Sequence, residues 1–296
     1  MRTVTSSLGP SDLSPELASV ARALEDIGKT PADCIRAAHA VTTANTTHQE
    51  IAGWKRQLGI SDDSVERVVL FYAAQNSVGR IEDLPVHPAV KVLLRKELKN
   101  FGGVSKQPVL VETDEFVTAI YLATLRRFPA GPLDWVISGL PRSYFLKMPL
   151  SGAPKALWYA LVRFGGFKPA FYVHLAYPPR NRSLVIEKEV RRAYYRMARS
   201  LALQPEMKGI MCSAWFHDPA ALRDAPHLSA LNEPYTQHGG RILTSVGEAK
   251  EDSGFLKFNP ERRKLYEAGK LRIYLTLAMW PRAAAIRWAE QHPELD

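Results

Sequence analysis

Over the first hundred positions, apolar residues recur at steps of three and four, and each stripe is bracketed by helix start and stop signals. Ser14-Pro15-Glu16 reads as an N-cap followed by proline at the first helical position. Leu17, Val20, Ala21, Leu24 and Ile27 then share a face, and Gly28 stops the helix. Thr30-Pro31-Ala32-Asp33 opens a second helix, Ser61-Asp62-Asp63-Ser64 a third, and His87-Pro88 a fourth. The third presents Val65, Val68, Val69 and Tyr72 on one side, and the fourth repeats Val90, Leu93, Leu94 and Leu98. A helical subdomain over residues 1–104 is expected.

The texture changes at Phe101-Gly102-Gly103 and Gln107-Pro108. Val109-Leu110-Val111 is a short strand candidate, Asp114–Phe128 reads as a helix ending at Pro129, and Trp135–Ser138 is a further apolar run. Ala156–Phe164 fits strand or helix, and periodicity does not decide between them. Gly165-Gly166 breaks the chain as a turn. From Pro169 onward the order is strand, turn, long helix, strand, helix, strand. Ala170–Ala176 is an apolar strand. Ile186, Val190, Ala193, Met197 and Leu201 form a helical stripe that ends at Gln204-Pro205. Gly209–Phe216 and Arg241–Val246 read as strands flanking a short helix over Leu228–Gln237. Leu271–Met279 alternates as a half-buried strand, and a closing helix runs through Trp288. Strands alternating with helices predict a mixed α/β fold over residues 105–296: a twisted sheet flanked by helices, carrying the N-terminal helical subdomain.

Composition narrows the chemistry. Apolar residues make up 46% and charged residues 23% of the 296, as in ordinary globular proteins. The formal net charge of +9 favours acidic partners, but Lys and Arg are dispersed among Asp and Glu on helix faces. Two distant cysteines, Cys34 and Cys212, suit a reducing cytoplasm and supply neither a disulfide framework nor a zinc pattern. His39 and His48, nine apart, do not share a helical face as a metal pair would, and no metal is expected. The polar N-terminus has no apolar core of a secretory signal, and no apolar run is long enough for a membrane span.

The richest chemistry lies in the turn Tyr177-Pro178-Pro179-Arg180-Asn181-Arg182-Ser183. Arg180, Asn181, Arg182 and Ser183 sit at the mouth of the long helix, where outward N–H groups and the helix dipole favour an anion. Cys212-Ser213-Ala214-Trp215-Phe216-His217-Asp218 ends a strand, where α/β sheets bind ligands. Cys212, Trp215, His217 and Asp218 are therefore candidate substrate contacts, with Asp218 alternatively a helix cap. A thiol–imidazole pair of Cys212 and His217 is disfavoured, because residues five apart on a strand point to opposite faces.

From Ala170 to Met279 the element order resembles the second half of the GNAT acyltransferase fold. In that family a central strand splays from its neighbour, an acyl-thioester lies in the gap, and its pyrophosphate rests on the loop before a long helix. The glycines of the family's phosphate loop are absent here, with Arg180 and Arg182 in their place. The resemblance implies an acyltransferase that takes an acyl or aminoacyl group from a phosphopantetheine thioester or an aminoacyl-tRNA to a small amine. Acyl-coenzyme A or an acyl carrier protein would be the donor substrate, with no tightly bound cofactor. His174 on the splayed strand is then the candidate base for the amine proton, and Tyr235 the candidate proton donor to the departing thiolate. The alternative is a non-catalytic basic protein that binds nucleic acid or an acidic partner.

Overall fold

The structure is a computed structural model that describes residues 13–41, 49–102, 110, 113–176, 186–249, 256 and 259–296, with Arg142 as backbone only. The chain divides into two compact units. The first takes the described residues up to Leu84 and Pro88–Phe128, and the second takes Pro85–His87 and Pro129–Asp296.

The first unit is helical and is organised around the Ser64–Val78 helix, which buries Val65, Val68, Val69, Leu70, Phe71, Ala73 and Ala74. So many buried positions span more than one helical face, so this helix is core on most sides. Helices Pro15–Asp26, Pro31–Ala40 and Asp114–Ala123 pack on it. The caps act as the sequence suggests. Ser14 Oγ accepts from Leu17 N at 3.3 Å, and Thr30 and Asp33 form a reciprocal capping box. A helix over Gln49–Leu58 carries Lys55, whose ammonium lies 2.7 Å from the fully buried Glu66 carboxylate. The helical unit continues to Phe128, beyond position 104, because the Asp114–Ala123 helix buries Phe116 and Ile120 within it.

The second unit is a mixed α/β structure. Its strands belong to one six-stranded sheet in the order β1-β2-β3-β4-β6-β5, of which β1 straddles the boundary at Pro129. They are β1 (Arg127–Pro129), β2 (Leu133–Ser138), β3 (Ala170–Leu175), β4 (Gly209–Ala214), β5 (Arg241–Glu248) and β6 (Tyr274–Pro281). The undecided segment 156–164 is helical: a helix over Ala153–Trp158 runs into a π-turn over Tyr159–Arg163, closed by Phe164 N donating to Tyr159 O at 2.9 Å. Gly165 and Gly166 follow with φ of 85° and 122°, which releases the chain toward β3. The Asp114–Phe128 stretch is helical only to Ala123 and then enters β1. Leu228–Gln237 divides into a 3-10 turn and a short helix, Glu233–Thr236. Of the Val109–Val111 strand candidate, only Leu110 lies within the described residues.

The two sheet faces follow from strand alternation. On one, Tyr172, Met211, Leu277 and Met279 join a core with Leu140, Met148, Tyr159 and Phe164 from the 140–164 segment. On the other, Trp280 meets Tyr194 of the Glu187–Ala202 helix at 6.0 Å and Trp288 of the Arg282–Gln291 helix at 5.3 Å. Pro85–His87 joins this unit through Gln204 Nε2 donating to Pro85 O at 2.9 Å and His87 N donating to Ser200 Oγ at 3.0 Å.

Gly209 starts β4 where the chains crowd. A Cβ there would press on the Trp280 carbonyl and lie 2.7 Å from the Phe164 ring. Gly209→Ala should therefore cost about 1–3 kcal/mol through overpacking. The check is a denaturant titration in which the midpoint falls while the slope stays fixed.

Candidate active site

Two strands bring the chemistry together. β2 and β3 pair in antiparallel register over six residue pairs, from Leu133–Leu175 to Ser138–Ala170. β4 and β6 also pair over six, from Gly209–Pro281 to Ala214–Thr276. Between them, β3 and β4 are parallel, and their pairing covers only Phe171–Ile210 and Tyr172–Met211. The Val173 carbonyl, just past the last pair, instead accepts a weak bond from the Cys212 thiol at 3.5 Å.

Tyr172, His174 and Ser213 lie on the face covered by the 140–164 segment. The Tyr172 hydroxyl is 3.0 Å from that of Tyr144. The Tyr172 and His174 rings are 5.1 Å apart. Asp134, fully buried, is the cross-strand partner of His174, which puts the two side chains side by side on this face. Ser213 Oγ is buried near Tyr172 and has no hydrogen-bond partner of good geometry among the described residues. Burial first, then the neighbouring Cys212 and Tyr144, push the Tyr172 phenol well above the ordinary tyrosine value. An apolar cavity of about 650 Å³ borders the same core, lined by Gly139, Leu140, Phe145, Leu157, Phe167 and Lys168.

The other face holds a buried polar cluster. Burial pushes the Cys212 thiol far above its ordinary value, so it stays protonated and is a poor nucleophile. His217 Nδ1 is 2.7 Å from Asn232 Oδ1. Asn232 Nδ2 donates to Phe216 O at 2.8 Å, so its Oδ1 is the acceptor and the network assigns the hydrogen to His217 Nδ1. His217 Nε2 is then a buried lone pair with no partner among the described residues, and it stands against the Tyr235 ring at 5.0 Å. Tyr235 is buried beside Tyr194, which spends its own proton on Leu231 O at 2.9 Å. The Tyr235 hydroxyl has no partner of good geometry among the described residues. Burial raises its pKa well above the usual value and keeps it protonated.

No family model, curated protein or solved structure matches this chain. The site therefore stands on its own geometry.

The structure separates the residues singled out by sequence. His174 lies on the face of the sheet covered by the 140–164 segment, and Tyr235 packs against Tyr194 on the other face. Cys212 follows the last β3–β4 pair, and His217 is in the core next to Tyr235. Asp218 spends both oxygens on backbone: Oδ1 caps Ala220 N at 2.7 Å and Oδ2 accepts from Tyr274 N at 2.8 Å. Trp215 is half-buried, packed toward Ala221, Leu256 and Ile273. Arg180, Asn181, Arg182 and Ser183 lie outside the described residues, as does His48. Tyr144, Asp134 and Ser213 went unnoticed in the sequence. Period-two alternation could have grouped Tyr172 with His174, but pairing Asp134 with His174 needs the β2–β3 register. Among the described residues no group of His, Cys, Asp and Glu could hold a metal ion, and no helix is long and apolar enough to cross a membrane.

The His217 environment has a measurable consequence. Burial holds its pKa down to about 4, against the hydrogen bond it donates to Asn232. Below the ordinary value of about 6.5 the unfolded chain takes up a proton that the folded chain refuses. Stability contributed at neutral pH is thus lost as pH falls from about 6.5 to about 4, on the order of 3 kcal/mol in all. His217→Gln should be less stable at pH 7 but show a shallower loss between pH 6.5 and 4.5 in chemical denaturation.

Proposed function

We propose that this chain is a cytoplasmic acyltransferase with a GNAT-like core, moving an acyl or aminoacyl group from a phosphopantetheine thioester to a small amine. The observation that carries the reading is the short parallel pairing of β3 and β4. Parallel neighbours need a crossover, which here includes the long Glu187–Ala202 helix. The strand order β3-β4-β6-β5 around that helix supports the likeness, since β6 is inserted between β4 and β5.

A thioester entering between the strands beyond that short pairing would meet buried polar atoms. Ser213 Oγ on one face and the Tyr235 hydroxyl on the other are both buried and make no hydrogen bond of good geometry among the described residues. Such groups are costly unless something completes their hydrogen bonds. The 650 Å³ apolar cavity beside Tyr144 and Phe145 suits an acyl chain. A formal charge of +9 favours an anionic donor, and Arg180 and Arg182 are the residues proposed to take its phosphates.

The chemistry divides between the two faces. The amine nitrogen attacks the thioester carbonyl carbon, a C–N bond forms and the C–S bond breaks. His174 accepts the proton that the amine sheds, and the buried Asp134 stands beside it. Tyr235 gives its phenolic proton to the departing sulfur; burial keeps that proton in place until it is needed. The phenolate regains a proton as products leave, and His174 returns its own to solvent.

The test measures thiol release from acyl-coenzyme A with a panel of small amines. His174→Gln should lower kcat about 10²–10⁴-fold, with coenzyme A binding unchanged by calorimetry. Tyr235→Phe should lower kcat as well and leave the melting temperature close to wild type, because the hydroxyl makes no hydrogen bond of good geometry among the described residues. A wild-type protein that neither binds coenzyme A nor releases thiol sinks the reading, and so does a His174→Gln variant with full turnover.

A further inference from the structure

Between Asp134 and Glu187 the chain contains no acidic residue, while Arg142, Lys147, Lys155, Arg163, Lys168, Arg180 and Arg182 are basic. The same stretch breaks the rule that the fold obeys elsewhere. In the Glu187–Ala202 helix the apolar stripe faces inward and the charges face out. Around Ala153–Arg163, Ala156, Tyr159 and Ala160 fill the core, yet the outward side is apolar too. Leu157, Trp158, Leu161 and Val162 are all exposed, Trp158 by 55%. Spacings of four put Leu157 over Leu161 and Trp158 over Val162, so the four form a contiguous patch. Just upstream, Leu146 is 90% and Leu150 92% exposed, so these side chains stand clear of the fold. Lys147, Lys155, Arg163 and Lys168 are exposed among them.

We infer that this segment is a membrane-docking surface that lies on an anionic phospholipid bilayer, with the leucines, Val162 and Trp158 at the headgroup–acyl boundary and the lysines and Arg163 on lipid phosphates. Three features select this occupant. Six large apolar side chains left in water carry a standing cost that burial removes. Leucine and tryptophan with interspersed Lys and Arg is the composition that seats an interfacial helix. The absence of any acid across the whole segment matches a surface of uniform negative charge. A second copy of this chain fits poorly, because a two-fold contact would set the same basic segment against itself. The inference concerns attachment, not spanning, and it does not depend on the acyltransfer reading.

Flotation of the full chain with vesicles tests it, using phosphatidylcholine alone against phosphatidylcholine with one quarter phosphatidylglycerol. The protein should float with the anionic vesicles, stay behind with the neutral ones, and be released as sodium chloride rises toward 0.5 M, where screening is strong. Leu146→Ser with Leu150→Ser should weaken partitioning by on the order of 10-fold or more. Lys147→Glu, Lys155→Glu and Arg163→Glu should each weaken it by roughly 5-fold or more. All five positions are exposed, so circular dichroism should match wild type. Three outcomes overturn the inference: no flotation with anionic vesicles, equal flotation with both vesicle types, or variants that float like wild type. A chain that ignores vesicles but dimerises through Leu146 and Leu150 in sedimentation, or that binds only a polyanionic protein, overturns it as well.

Discussion

The second unit is governed by one constraint: two strands run parallel in the middle of a sheet that is otherwise antiparallel. Parallel strands cannot be joined by a tight turn, so the chain must leave β3, cross by way of the Glu187–Ala202 helix and return as β4. That helix brings a large apolar stripe, with Val190, Ala193, Tyr194, Met197 and Leu201 buried, and covers one face of the sheet. The other face is left to the 140–164 segment. With pairing confined to two residues per strand, the backbone beyond must find other partners, and the Cys212 thiol supplies one for Val173. Antiparallel pairing on both sides, six residues long each, holds the flanks rigid while the centre is loosely stitched.

That loose centre sits between two different electrostatic settings. On the side of the long helix the titratable groups are held neutral by desolvation: the Cys212 thiol, the Tyr194 and Tyr235 phenols and the His217 imidazole. They can donate protons but carry no charge. On the other side, the buried Asp134 lies beside the half-buried His174, and burial also holds the Tyr172 phenol neutral.

The apolar cavity and the exposed patch adjoin. Leu157 lines the first and belongs to the second. The segment that covers this face of the sheet is therefore apolar on both sides, and its sequence carries basic residues and no acid.

Much of the local structure was legible from residues alone. Ser14, Thr30 with Asp33, and Asp218 specify helix starts by hydrogen bonds reaching two or three residues along the chain, which any reader of the sequence can count. Alternation in β3 put Tyr172 and His174 on one face for the same reason. The 156–164 segment defeated periodicity because it is apolar all round, and only its two environments, core on one side and open on the other, account for the pattern. The helical unit's extension to Phe128 was hidden likewise, since Phe116 and Ile120 reveal their partners only in the packed unit. What the tertiary structure alone decided is which residues meet across the sheet. Asp134 and His174 are forty positions apart in the chain and meet only through the β2–β3 register. Side-chain period and capping are local properties of the chain. Register, sheet order and the face that each element buries are settled by long-range packing, and the candidate site is made entirely of those.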